Sequence, residues 1–166
     1  MTTTTNSGQT TLTTPSDREV AMTRVFDAPR ELVFEAWTSP EHVPHWLLGP
    51  EGWEMPVCEI DLRPGGPWRY VWRKADGTEM EMEGDFNEVA PPERIINTER
   101  WGGDWPETLN TVTFTEEDGR TTVTINVLYP SQEARDAAIG TGMVDGASES
   151  FARLDERLRS LVEAGR

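Results

Sequence analysis

Apolar and polar residues alternate most clearly in the middle of the chain. In PWRYVWRKADGTEMEMEGDF, residues 67–86, the apolar positions are Trp68, Tyr70 and Trp72, then Met80, Met82 and Phe86. The positions between them are mostly charged: Arg69, Arg73, Glu79, Glu81, Glu83 and Asp85. A period of two is the mark of a strand with one buried and one wet face, so the stretch predicts a β-hairpin. Its loop follows from the pairing, because residues directly opposite each other share a face. A two-residue Asp76-Gly77 turn would set Trp72 against Glu81 and mix the faces. A three-residue loop, Ala75-Asp76-Gly77 with Gly77 left-handed, sets Trp72 opposite Met80 and Tyr70 opposite Met82. It also sets Arg73 opposite Glu79 and Arg69 opposite Glu83, so the three-residue loop is predicted.

The same test gives the other answer at the second Asp-Gly. In TVTFTEEDGRTTVTINVLY, a two-residue Asp118-Gly119 turn places Phe114 opposite Val123, Val112 opposite Ile125 and Glu117 opposite Arg120. Further strands are predicted at 18–26, from 53 to the Pro-Gly-Gly break at 64–66, and at 93–101. Cys58, Ile60 and Leu62 share one face of the second of these. Between the first two strands, APRELVFEAWTS predicts a helix with Pro29 in its first turn. SPEHVPHWL predicts another, capped by Ser39 with Pro40 at its first position. Near the C-terminus the period changes. Ser131 caps a short helix, and Gly140 and Gly142 interrupt it. Met143, Ala147, Phe151, Leu154, Leu158 and Leu161 then follow a 3–4 spacing, the stripe of a long amphipathic helix. Glu149–Arg153 and Asp155–Arg159 have the spacing of exposed i,i+4 pairs.

One sheet with an apolar face and one long helix to cover it define an α+β class. The length of 166 residues favours a single domain, here set at 17–164. The first 16 residues, nearly all Thr and small polar groups, read as a disordered leader. Formal net charge is −15, which disfavours nucleic acid and anionic membrane surfaces as partners. No apolar run reaches the length of a membrane span. A single cysteine, Cys58, fits a reducing compartment, and a cytoplasmic location is expected. An uncovered edge strand leaves a homodimer open.

Few side chains suggest chemistry. Arg24 shares the apolar face of its strand, where a guanidinium needs a carboxylate; Glu99 is the candidate partner if Glu99 and Trp101 face inward. Either could anchor a polar ligand group. His42 and His45, beside Glu41, are three apart but have no third ligand in the pattern, and no metal or cofactor is implied. Cys58 reads as an inert buried thiol. Arg63-Pro64-Gly65-Gly66 lacks the Lys-Ser/Thr of a phosphate loop. The acidic row Glu79, Glu81, Glu83 and Asp85 reads as a solvated face. Trp101 and Trp105 flank Gly102-Gly103-Asp104, either gating a cavity or pinning the loop.

Several stretches resemble a known superfamily. TRVFDAPRELVFEAWTSPEHVPHWLLGPEGW resembles the N-terminal half of the helix-grip proteins, the SRPBCC or START-like superfamily of lipid-transfer domains, plant pathogenesis-related proteins and polyketide cyclases. CEIDLRPGGPWRYVW, GDFNEVAPPERI and EARDAAIGTGMVDGASESFARLDERL are similar to its bacterial subfamily named for the activator of the heat-shock protein 90 ATPase. The resemblance covers roughly residues 18 to 162. It implies a curved antiparallel sheet wrapped around the C-terminal helix, two short helices between the first two strands, and an apolar cavity between helix and sheet.

On that fold the aromatic face encloses the cavity. Trp68, Tyr70, Trp72, Met80, Met82 and Phe86 would line it from the sheet, with Trp101 and Phe114. Met143, Ala147, Ser150 and Phe151 would line it from the helix, which Gly146, Ala147 and Ser150 leave thin there. The expected function is a binding protein for an apolar or aromatic small molecule. Two alternatives stand beside it. One is a cyclase- or hydrolase-type enzyme using the same cavity, with Arg24, Glu99 and Tyr70 as its inward polar groups. The other is a chaperone or stress-response cofactor that binds a protein partner.

Overall fold

The structure is a computed structural model and describes residues 4–103 and 105–165. In chain order the elements are β1 (Thr4–Ser7), β2 (Thr10–Ser16), β3 (Glu19–Phe26), α1 (Arg30–Thr38) and α2 (Val43–Trp46). There follow β4 (Trp53–Ile60), β5 (Pro67–Lys74), β6 (Glu79–Ala90), β7 (Arg94–Glu99), β8 (Thr108–Glu117) and β9 (Arg120–Leu128). Two helices close the chain, α3 (Gln132–Ile139) and α4 (Met143–Ala164). All nine strands form one antiparallel curved sheet in the order β1-β2-β3-β9-β8-β7-β6-β5-β4. It wraps around α4 as the helix-grip reading expects.

Both hairpins have the predicted registers. In β5–β6, Trp72 pairs with Met80, Tyr70 with Met82, Arg73 with Glu79 and Arg69 with Glu83. Gly77 has φ +91, the left-handed conformation that this loop requires. In β8–β9, Phe114 pairs with Val123, Val112 with Ile125 and Glu117 with Arg120. Asp118 and Gly119 both have positive φ, 54 and 76, as a tight two-residue hairpin turn demands. The acidic row faces outward, where Arg69 pairs with Glu81 at 2.6 Å and Arg100 with Asp85 at 3.4 Å.

The N-terminal segment differs from the expected leader. Thr10 and Leu12 are buried, and residues 4–7 and 10–16 form β1 and β2, which extend the sheet beyond β3. Threonine has high strand propensity, and Thr10, Leu12 and Thr14 place one parity against the core. Contacts to α4 hold the hairpin: the Ser7 hydroxyl donates to Asp145 at 2.6 Å, and Ser148 donates to the Ser7 carbonyl at 2.8 Å. Residues 1–3 of the expected leader lie outside the described residues.

The helices differ in detail. Pro29 caps α1 instead of entering it. The short α2 begins after His42, so Ser39 is not its cap. Ser39 instead turns the chain, its carbonyl accepting from the N–H groups of His42 and Val43. Ser131 does cap α3, accepting from the Ala134 N–H at 3.1 Å. In α4, Asp155 and Arg159 pair at 2.9 Å, whereas Arg153 reaches away from Glu149 to the Gly49 carbonyl at 2.7 Å. Leu62 lies beyond β4 and is exposed. No helix among the described residues is long and apolar enough to cross a membrane.

Candidate functional site

A cavity of about 610 Å³ lies between the concave face of the sheet and the N-terminal half of α4. Its existence follows from side-chain size. Here α4 offers Met143, Gly146, Ala147, Ser150 and Phe151 to the lining, and Gly146, Ala147 and Ser150 are too small to fill the curve of the sheet. The opposite wall is aromatic. Trp68 and Tyr70 have ring centroids 4.9 Å apart, Tyr70 and Trp72 5.8 Å, and Trp72 stacks on Trp101 at 5.6 Å with 14° between planes. Trp37 and Trp46, 4.9 Å apart, bring α1 and α2 to the same space. With Trp53 and Trp105, all seven tryptophans of the chain line the cavity, and so do both tyrosines.

The indole N–H groups of Trp46, Trp72 and Trp101 tie this wall in place, whereas the buried Trp68 Nε1 has no hydrogen-bond partner among the described residues. Trp72 Nε1 donates to the Leu47 carbonyl at 2.7 Å, and Trp46 Nε1 to the Ala36 carbonyl at 3.0 Å. The loop after α2 is tied to α4 from both sides of Gly49. The Gly49 N–H donates to Ser150 Oγ at 2.8 Å while Arg153 donates to its carbonyl. The lining residues Pro50, Met80, Trp105, Thr141 and Gly142 are exposed and form the rim.

Glu99, at the end of β7, is the polar feature of the interior. Its Oε1 accepts from Trp101 Nε1 at 2.5 Å, and its Oε2 accepts from Asn110 Nδ2. Asn110 Oδ1 in turn accepts from the Thr108 hydroxyl at 3.2 Å. Burial pushes the Glu99 carboxyl above its ordinary value, and the two donated hydrogen bonds only partly oppose it. Tyr129, whose hydroxyl lies 3.9 Å from Met143 Sδ, is pushed up to about 12 by burial and by the Glu99 charge. Burial also raises Tyr70, with smaller contributions from Cys58 and Glu99. Cys58 pairs across the sheet with Tyr70, and burial pushes its thiol up to about 11, the behaviour of an inert thiol.

Most of the sequence-nominated lining residues meet in this space: Trp68, Tyr70, Trp72, Met80, Met82 and Phe86 from β5 and β6, Trp101 beyond β7, and Met143, Ala147, Ser150 and Phe151 from α4. Phe114 does not. It is 2% exposed and packs edge-on against Phe34 and Trp37, because α1 lies over β8 at that point. Arg24 does not reach the cavity either, and it is not paired with Glu99. Strands β9 and β8 separate their strands, roughly 14 Å at about 4.8 Å per strand. Arg24 is buried with its guanidinium 5.4 Å from the Phe26 ring centre, and Asp155 and Arg159 of α4 are the charges acting on it. His42 is buried and accepts at Nδ1 from Arg157 at 3.0 Å, while His45 is exposed.

The sequence reading missed Asn97, Thr108, Asn110 and the tryptophans of α1, α2 and β4. Asn110 was within reach. It shares the parity of Val112 and Phe114, so it is a polar residue on an apolar face, the same signal that singled out Arg24. The tryptophans of α1 and α2 carry no such signal, because a helix that covers a core and one that borders a cavity show the same stripe.

Comparison with known proteins agrees with this architecture. The sequence matches the family described as Activator of Hsp90 ATPase homolog 1-like protein over residues 27–159. A crystal structure of a Rhodobacter sphaeroides protein is similar at 31% identity, covering 92% of this chain and 99% of that one, with a TM-score of 0.88. A Mycobacterium smegmatis protein is similar at 25% identity, covering 94% and 97%, with a TM-score of 0.79. An AHSA1-like protein from Aeromonas hydrophila shares the fold at 19% identity, covering 84% and 93%, with a TM-score of 0.71. A comparison with curated proteins gave no match. With the family's pattern spanning most of its length, the chain belongs to the Activator of Hsp90 ATPase homolog 1-like family.

Proposed function

We propose that the chain is a binding protein that holds an apolar or aromatic small molecule in the cavity between the sheet and α4. The observation that carries this reading is the interior of about 610 Å³ walled by aromatic rings and methionine. That volume is within the range of small-molecule sites, which are concave and mostly apolar with a few placed polar groups. Glu99 and Asn110 would be those groups. A cytoplasmic location would suit such a protein.

The family description names an activity on a chaperone ATPase, and a protein-docking role would call for a contiguous apolar surface. The exposed large apolar residues among those described are Val25, Leu62, Met80, Trp105 and Leu109. Met80 and Trp105 belong to the cavity rim and the others sit on separate segments, so the small-molecule reading is better supported. Glu99 favours the enzyme as a second reading, since a buried carboxyl raised by desolvation is the kind of group that acts as an acid or base.

Native mass spectrometry of freshly purified protein tests the binding reading. The expected result is a reproducible small-molecule adduct that disappears in a folded Ala147→Leu variant, in which the added side chain occupies the cavity. An adduct of equal abundance in that variant would place the molecule elsewhere and overturn the reading. Turnover of the released compound by the wild type, lost in Glu99→Gln, would move the assignment to an enzyme.

A further inference from the structure

The cavity has a charge character that its apolar lining hides. Among the described lining residues there is no Lys, Arg or His, and Glu99 is the single carboxylate. Arg24, the expected anchor for an anion, is elsewhere. An anionic ligand would therefore enter a space with no cation to meet it and a carboxyl group to repel it. A cation would meet the opposite. All seven tryptophans and both tyrosines line the space, and aromatic faces attract positive charge most strongly when water is excluded. The surface has the same bias. Glu81, Glu83 and Glu107 line a second hollow on the outer face, which shares Trp101 and Trp105 with the cavity, Arg100 there is tied to Glu107 and Asp85, and the whole chain carries a net charge of −15. Such a field draws cations to the molecule.

We propose that the ligand is a lipophilic organic cation, an aromatic or aliphatic body bearing one ammonium group, held by the Glu99 carboxylate and the surrounding indole rings. This rests on the reading of the cavity as a small-molecule site and names the ligand class. The geometry suits one charged group. Trp101 and Asn110 each donate to one Glu99 oxygen. Those hydrogen bonds orient the carboxylate and leave a lone pair on each oxygen to face the ligand. A cation seated there also shifts Glu99 toward its ionised form, so binding releases a proton wherever the empty site holds one. The other ionisable side chains facing Glu99 are Tyr70 and Tyr129, both raised and neutral near pH 7. Arg100, the next residue along the chain, is turned to the outer face and paired there.

The test uses three naphthyl probes of nearly equal size in equilibrium dialysis against the full chain. They are (2-naphthylmethyl)trimethylammonium, its uncharged carbon isostere 2-neopentylnaphthalene, and 2-naphthylacetate. The expected order is cation, then neutral probe, then anion, with the cation favoured over the neutral probe by about tenfold or more. Glu99→Gln is expected to weaken cation binding by about tenfold and to leave the neutral probe unchanged. The wild type offers a check independent of any variant: affinity for the quaternary ammonium rises with pH while that for the neutral probe stays flat. Equal binding of cation and neutral probe, or a cation preference undiminished by Glu99→Gln, overturns the assignment and leaves the apolar-cavity reading standing. If none of the three binds, both fall together.

Discussion

Toward its C-terminus α4 sets Leu154 and Leu158 into the core, at 0% and 1% exposure, beyond Phe151, which borders the cavity and packs 6.0 Å from the Phe26 ring. Toward its N-terminus the same helix presents Met143, Gly146 and Ala147 to a wall of indoles and leaves the space between them open. Both halves face the same curved sheet. What separates them is side-chain volume at four or five positions. Cores are packed close to crystal density, so a hollow of this size persists only where its walls are held independently of one another. Here the walls hold themselves, through indole N–H bonds to backbone carbonyls and through Ser150 and Arg153 clamping Gly49.

The largest effect should come from the filled half. Leu154→Ala is expected to cost about 2–5 kcal/mol, the usual range for a buried leucine that leaves a cavity, measured by urea unfolding. A loss well under that would mean the C-terminal half is also loosely packed and the contrast is false. Ser150→Ala comes next. It deprives the Gly49 N–H of its acceptor and is expected to cost about 1–3 kcal/mol, and faster probe exchange should accompany the loss if the loop helps to retain the ligand.

Glu99→Gln should change a slope more than a value. The folded-state carboxyl is raised above its ordinary value of 4.5. Above that pH the unfolded chain has lost a proton that the folded chain keeps, so stability falls as pH rises toward the folded pKa. The difference between wild type and variant, followed from about pH 5 to about pH 8, should show that decline in the wild type alone. A flat difference would mean Glu99 titrates normally.

The smallest stability change is expected where volume is added to the hollow half. Ala147→Leu should stay within about 1 kcal/mol of wild type, since the space receives the new side chain and leucine is a good helix former. Probe binding should nevertheless disappear. Ala36→Leu, at a helix position of 0% exposure, should instead show the overpacking penalty of about 1–3 kcal/mol. Equal costs at the two alanines would erase the distinction between hollow and core.

Much of this molecule could be read before its structure. The faces of β5 and β6, the loop lengths of both hairpins and the span of α4 follow from periods of two and of 3–4, because side-chain direction along a strand or helix is a local property of the backbone. The facing of Glu99 was not legible in this way, because Ile95 and Ile96 are adjacent and both apolar and leave the parity of β7 open. Three things depended on contacts far apart in sequence. Arg24 and Glu99 both face inward, yet β3 pairs with β9 while β7 pairs with β8 and β6, and strand order comes from pairings that no local pattern encodes. The threonine-rich N-terminus has the composition of a disordered leader, but β3 offers it a free edge and α4 offers Asp145 and Ser148. The cavity itself needed both partners in place. Small residues on a helix and large ones on a sheet give a packed core when they interlock and a hollow when they do not, and only the tertiary structure sets the distance between them.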